Sequence, residues 1–304
     1  MIHCLYYDWK WMDVMNIIWS KYIQGVKTLY FSRRLRFHDM FAEQYQALFD
    51  LSKEKQLKIL EIGCGPGALA GALHRWYPNA EITGLDRDSA FIQFAGEHEP
   101  GISFVEGDAA KLPYPDNTFD VTISFTVSEH IDPSAFFQEQ LRVLKPGGVC
   151  LVLSSRKGIT VPAPVISDSD REQRFWDKAG KYDHTKDQYE ICRYPMSEAE
   201  LPLTMESYGF QQIHTGFVTV SLTPDNPDIS SSLAYDMINA SRQTELDSIE
   251  SVCHSIPEQV SPEERDEMIR LINEKYDRRL HQYDQGEKQW DTNVSLIMVM
   301  RGVK

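Results

Sequence analysis

Cysteine is scarce and scattered. Cys4, Cys64, Cys150, Cys192 and Cys253 contain no Cys-x-x-Cys pair. They offer neither a disulfide framework nor a zinc site, and they suit a reducing compartment. Basic charge is short as well: 31 Lys and Arg stand against 45 Asp and Glu, a formal net charge of -14. Nucleic-acid binding by counterion release needs a basic surface that such a chain does not provide. The one dense basic cluster, Arg33-Arg34-Leu35-Arg36, reads as a solvated helix face, with a small anion site as the alternative. Long apolar runs are missing too. Asp8, Lys10 and Asp13 interrupt the apolar N-terminal stretch, which then reads as neither signal peptide nor membrane span. The histidines show no metal-ligand spacing, and no internal repeat or low-complexity tract is present. The expectation is a cytoplasmic protein with no metal, no nucleic-acid partner and no membrane partner.

A chain of 304 residues suits one large domain with insertions, or a domain carrying a cap. Trp9, Met12, Met15, Trp19, Tyr22 and Val26 recur at three- and four-residue steps, the stripe of an amphipathic helix. From Leu57 to Ser155 strands and helices alternate. Strands are read at Leu57–Ile62, Ala80–Asp86, Ile102–Val105, Phe119–Phe125 and Val149–Leu153. Asp132-Pro133 caps a helix running to about Leu144. Such alternation implies a parallel sheet covered on both faces.

Beyond it, residues from about Arg156 to Pro195 are polar and aperiodic, read as a functional insertion. A helix near Ser197–Tyr208, awkward at Pro202, precedes strands at Phe210–Leu222 and Val294–Met300. The segment between those strands is largely helical. Ser261-Pro262-Glu263-Glu264 is its capping box. Met268, Ile272, Tyr276 and Tyr283 supply an apolar stripe, and Asp266 to Arg270 and Glu274 to Arg278 read as supporting charge pairs.

Glu61-Ile62-Gly63-Cys64-Gly65-Pro66-Gly67 follows a strand and opens a helix. Glycines there let backbone approach a ligand closely, and the helix N-terminus offers free N–H groups to a polar or anionic ligand. Asp86 ends the next strand about twenty positions on, where an acid binds ribose hydroxyls. Gly63-x-Gly65-x-x-Ala68 also satisfies the dinucleotide fingerprint, so a NAD-dependent oxidoreductase competes at this stage.

The order of motifs resembles that of the class I, Rossmann-like S-adenosylmethionine-dependent methyltransferases. Leu60 to Gly67 looks like their first motif and Gly84-Leu85-Asp86 like their second. Glu106-Gly107-Asp108-Ala109, with Leu112 to Asp120, looks like the segment that holds adenine. Leu141 to Gly148 resembles the turn before the fifth strand. The resemblance implies an α/β, doubly wound, mostly parallel seven-stranded sheet with an antiparallel last strand, plus a helical cap. The core would be 52–155, 196–227 and 291–304; the cap and substrate-binding insertions would be 1–51, 156–195 and 228–290.

It also implies roles. Gly63, Gly65 and Gly67 would pass backbone beside the methionine and ribose of S-adenosylmethionine. Glu61 would orient that loop or reach the cofactor's amino group, the alternative being a carboxylate that only satisfies loop N–H groups. Asp86 would bind the ribose. Arg87 would lie beside the adenine or be a plain surface charge. Asp108 and the Ala109 N–H would hold the adenine, although Asp108 also suits a turn that bonds its own backbone. Ser124 and its neighbours at the end of the fourth strand would contact the methionine moiety, largely through backbone.

Methyl transfer needs a base only if the acceptor atom must lose a proton. Ser128-Glu129-His130 follows the fourth strand, which makes His130 the base candidate. Glu129 is then a group to hold its imidazole or to bind an acceptor cation. The plain alternative is a histidine packed under the cap. Arg33 or Arg36 would hold a carboxylate of cofactor or substrate, or sit on a surface helix. The expected product is S-adenosylhomocysteine, and the expected acceptor is a small, apolar or aromatic molecule. A non-catalytic cofactor-binding protein on the same fold is the third reading.

Overall fold

The computed structural model describes residues 19–182 and 191–304. Two short helices open the described chain: α1 (Trp19–Tyr22) and α2 (Val26–Arg36). The stripe expected as one helix is interrupted here, because the backbone leaves helical geometry at Gly25 (φ -58°, ψ 148°). Trp9, Met12 and Met15 lie outside the described residues. After α3 (Ala42–Phe49) the alternation begins: β1 (Lys58–Ile62), α4 (Ala68–Trp76), β2 (Glu81–Asp86), α5 (Ser89–His98), β3 (Ser103–Glu106), β4 (Phe119–Phe125), α6 (Pro133–Val143) and β5 (Leu144–Val161). Then follow α7 (Asp170–Tyr182), α8 (Glu200–Ser207), β6 (Gln211–Leu222), α9 (Ser231–Ser255), α10 (Pro262–Asp284) and β7 (Thr292–Val303).

The seven strands form one sheet in the order β3-β2-β1-β4-β5-β7-β6. β1 to β5 pair in parallel, and β7 runs antiparallel to both β5 and β6. This is the doubly wound α/β sheet with an antiparallel last strand that the sequence implied. Both faces are covered because strand residues alternate sides. Ile59, Val121, Ile123, Leu151 and Leu153 join Phe37, Tyr45, Phe49 and Leu73 on one side. Leu60, Ile62, Cys150 and Val152 join Phe136, Phe137 and Met205 on the other. Phe37 to Phe49, read as cap, thus pack directly on the sheet.

Three local readings change. β5 continues eight residues past Leu153, to Val161, because Ser154 to Val161 stay paired with β7 through a bulge between Arg156 and Ile159. Gly158 makes that bulge possible: a Cβ there would lie 1.8 Å from the Val294 carbonyl oxygen. The strand's end looked polar and aperiodic because its side chains are mostly exposed. α8 starts at Glu200, so Pro202 sits in the first turn, where its missing N–H forfeits no helical bond. The charge pairs on α10 also differ. Arg270 bridges Glu267 at 2.9 Å and Glu274 at 2.6 Å, while Asp266 pairs with its neighbour Arg265 at 3.2 Å. The Arg270 fork reaches both acids one turn away, leaving neither expected pair.

α7, α9 and α10 make a separate helical core of Phe175, Ile249, Val252, Met268, Ile272 and Tyr276. Ser261 accepts from the Glu264 amide at 3.2 Å, so the expected cap of α10 forms. Two buried cations tie this layer together. Lys275, 2% exposed, meets Asp168, Glu172 and Glu245 at 2.8, 2.9 and 2.7 Å. Those three carboxylates have the spacing of a metal cage, but the ammonium stands among them as their cation. Arg279 meets Asp225 at 3.0 Å and Asp291 at 2.6 Å, fastening α10 to the entrances of α9 and β7. Among the described residues, no helix is long and apolar enough to cross a membrane.

Candidate cofactor cleft

The carboxyl ends of β1, β2 and β4 open onto one cleft of about 1100 Å³, counted with its open mouth. α1, α2 and the turn between them roof it through Trp19, Gln24, Leu29 and Arg33.

The floor is the glycine loop. Gly63 has φ 67°, and a Cβ on it would lie 2.5 Å from Val127 Cγ2. Only glycine allows β1 to turn there beneath the chain leaving β4. Gly63 and Gly65 line the cleft; Gly67 is not among the lining residues. Gly67 is needed for packing: at φ 89° its added Cβ would meet Ala95 Cβ and Phe104 Cζ, both at 3.0 Å.

Asp86 is fixed by the loop it serves. Its Oδ2 accepts from the Gly65 amide at 2.8 Å and its Oδ1 from the Asp88 amide at 2.9 Å. A carboxylate has about four acceptor positions, so capacity remains for ligand hydroxyls. Burial raises its carboxyl above the usual range against the pull of those two amides. Asp88 in turn caps α5 through the Ala90 amide at 3.0 Å and holds Ser20 N and Oγ at 2.8 and 3.1 Å. The roof is therefore latched to the acidic loop.

Glu61, 2% exposed, also lines the cleft. Its Oε2 is buried without a hydrogen-bond partner. Burial, and then the charge of Asp86, push its carboxyl well above the usual range. A buried acceptor without a partner, on a residue that lines a cleft, suits a cationic ligand group. Asp108 forms the local turn, its Oδ1 accepting from the Ala110 amide at 2.8 Å, and the residue lines the cleft beside Ala109. Arg87 is exposed and lines the cleft as well.

Ser124 does not line the cleft. Its neighbours Phe125, Thr126 and Val127 do. Strand alternation places Ser124 with Thr122, which bonds Gln140 of α6 at 3.0 Å, on the far face. Thr126 has φ 53°, a strained conformation for a β-branched residue.

His130 lines the cleft, with Trp19 edge-on to its ring at 5.0 Å. Its Nδ1 accepts from the Cys192 amide at 3.1 Å, so the neutral ring carries its proton on Nε2. Burial holds the imidazole below its usual range. The group that orients the ring is thus the Cys192 amide, where Glu129 was expected. Glu129 is absent from the lining; its Oε2 accepts from Ser128 Oγ at 3.3 Å and its carbonyl from the Tyr194 amide at 2.9 Å.

Arg33 is the residue whose surface-helix reading fails. It lines the cleft, lies 4.1 Å over the Phe125 ring, and donates from Nη2 to Thr126 Oγ1 at 2.8 Å. Arg36 is half-buried and donates to the Ser32 carbonyl at 3.2 Å.

Residues 60–152 match the family described as a methyltransferase domain. The fatty-acid O-methyltransferase of Mycolicibacterium smegmatis is 39% identical over 109 residues, 34% of this chain and 39% of that protein. The ubiquinone/menaquinone biosynthesis C-methyltransferase UbiE of Desulfotalea psychrophila is 39% identical over 104 residues, 32% of this chain and 41% of that protein. The matched span is thus about two fifths of the length of each relative. A solved structure of phosphoethanolamine N-methyltransferase 2 from Haemonchus contortus is 17% identical, covering 88% of this chain and 52% of its own, with a TM-score of 0.48. By motif order, sheet order and family match, residues 60–152 are a class I, Rossmann-like S-adenosylmethionine-dependent methyltransferase domain.

Proposed function

We propose that the chain is an S-adenosylmethionine-dependent methyltransferase acting on a small, largely apolar acceptor. The observation that carries this is the buried Glu61 Oε2, which has no hydrogen-bond partner, on a residue that lines the same cleft as Asp86. One carboxyl suits the ammonium of the cofactor's amino-acid end, and the other its ribose hydroxyls.

The cofactor supplies a methyl group on a sulfonium, so no covalent enzyme intermediate is needed. The chain's part is placement. Asp86, held by Gly65 and Asp88, takes the ribose. Asp108 and the Ala109 amide take the adenine, with Arg87 beside it. Gly63 and Gly65 bring backbone close to the sulfur side. Alignment of this kind supplies about 7–11 kcal/mol at its upper range. Trp19, Leu29, Phe37 and Ile131 give the cleft an apolar wall that keeps water away from the reacting carbon. With its Nδ1 lone pair engaged, His130 serves as a hydrogen-bond donor through Nε2–H. We assign it to orienting an acceptor oxygen rather than removing its proton. We read residues 228–290 and the helix after β5 as the cap over this cleft.

The relatives named above are, by their names, a methyltransferase of fatty acids and a C-methyltransferase of ubiquinone/menaquinone biosynthesis. Incubation with S-adenosylmethionine and a panel of decanoate, a hydroquinone and a primary amine, read as S-adenosylhomocysteine release and acceptor mass gain, tests the reading. Turnover with decanoate or the hydroquinone is expected. Turnover confined to the amine would contradict the apolar, donor-lined acceptor site.

A further inference from the structure

The sheet has two outer strands, and they are built differently. β3 is four residues long and ends in Glu106. Shortness and charge are usual protections of a sheet edge. β6 is twelve residues long and holds no Asp, Glu, Lys, Arg or Pro. From His214 to Leu222 it keeps one unbroken register with β7. Among the described residues β7 is its only strand neighbour, and no backbone bond leaves its outer side. That side therefore presents a row of open N–H and C=O groups, the template for pairing with a further strand. Side chains alternate along the run. Val218 and Val220 are buried in the core, while Thr215, Phe217 and Thr219 on the other face are exposed, Phe217 by 50%.

Charge selects the occupant. Two copies of a chain with a formal net charge of -14 repel each other over most of their surfaces, so a contact between them needs a neutral seam. We propose that β6 is the interface of a homodimer: two copies pair their β6 strands antiparallel about a two-fold axis, so that the sheet runs on from one subunit into the other. Such a contact needs a self-complementary patch. With the axis at Val218, the middle of the run in register, each Phe217 lies opposite Thr219 of the second copy, and each Thr215 opposite its Ser221. An aromatic against a β-branched residue, and hydroxyl against hydroxyl, are favourable cross-strand pairs, and the symmetry makes each of them twice. β5 and β7 stand between β6 and the strands that end at the cleft, so both clefts stay open. The proposal does not depend on the methyltransferase reading.

Sedimentation velocity of the full chain from about 1 to 100 μM tests it, the range in which interfaces of modest affinity assemble. Wild type is expected to pass from monomer to dimer, and more readily at about 0.5 M salt than at about 0.15 M, because salt screens the repulsion. Thr219→Lys and Phe217→Asp each put a charge on an exposed position of the seam, and each should weaken the dimer about tenfold or more, with the far-UV circular dichroism of wild type retained. Mixing the two variants sets the new lysine opposite the new aspartate at one position and leaves Phe217 opposite Thr219 at the other. The mixture should therefore dimerise more tightly than either variant alone, which a loss of folding could not produce. Wild type that stays monomeric throughout overturns the proposal. So do variants that dimerise as wild type does, which would place the contact elsewhere, and a mixture no tighter than its components.

Discussion

The Cys192 amide donates to Nδ1 of His130 at 3.1 Å, tying a segment that follows α7 to the chain leaving β4. Burial lowers the imidazole below its usual range, so folding favours the neutral ring. A group with a depressed folded value contributes stability present above its unfolded value, about 6.5, and lost as pH falls through the folded one. Urea unfolding at pH 7.5 and pH 5.5 is therefore expected to show a pH-dependent loss in wild type that is smaller in His130→Gln. Equal pH dependence in the two proteins would remove this role.

Glu61 carries the opposite sign. Its carboxyl is raised by burial, so the ionised form is strained in the ligand-free protein and stability falls as pH rises past the usual carboxylate range. Glu61→Gln keeps the shape and drops the charge. The ligand-free variant is expected to be more stable than wild type at pH 8, by on the order of 1 kcal/mol. It should bind S-adenosylhomocysteine about tenfold or more weakly. Thermal unfolding and calorimetry read the two effects separately; a variant both less stable and equally tight would contradict the assignment.

Gly63→Ala combines a disfavoured φ with a clash on Val127. A loss of about 1–3 kcal/mol in stability is expected from the backbone alone, with loss of cofactor binding. Adding Val127→Ala should relieve the steric share and leave the backbone share. Full recovery in the double variant would show that φ at Gly63 contributes nothing.

Lys275→Met leaves Asp168, Glu172 and Glu245 converging without their cation. Breaking a buried pair from one side costs about 3–5 kcal/mol. Because the three carboxylates keep the spacing of a cage, millimolar Ca²⁺ should recover part of that loss in the variant and do nothing for wild type. Calcium stabilisation of wild type of the same size would mean that the ammonium does not hold the position.

The sheet and the floor of the cleft were legible because their signals are local. Glycines follow a strand, Asp86 ends the next, and apolar alternation marks β1, β2 and β4. What stayed hidden depends on contacts far apart in the chain. Arg33 meets Thr126 across 93 positions, and nothing near Arg33 distinguishes it from its exposed neighbour Arg34. The tautomer of His130 is set from 62 positions away. Gly67 read as a ligand glycine because motif spacing cannot tell a close approach to ligand from one to Phe104. Ser124 was placeable in principle: it shares parity with Thr122, and period two alone puts it on the face away from Phe125. The end of β5 was missed because pairing with β7, rather than burial, holds it in the sheet.

The most direct test of the cofactor assignment is a calorimetric titration of the wild-type chain with S-adenosylhomocysteine, with NAD(H) as the control and Asp86→Ala alongside. Saturable binding of S-adenosylhomocysteine is expected, lost in Asp86→Ala and absent for NAD(H). Saturable binding of NAD(H) without any of S-adenosylhomocysteine would contradict it and turn the same glycine loop over to a dinucleotide.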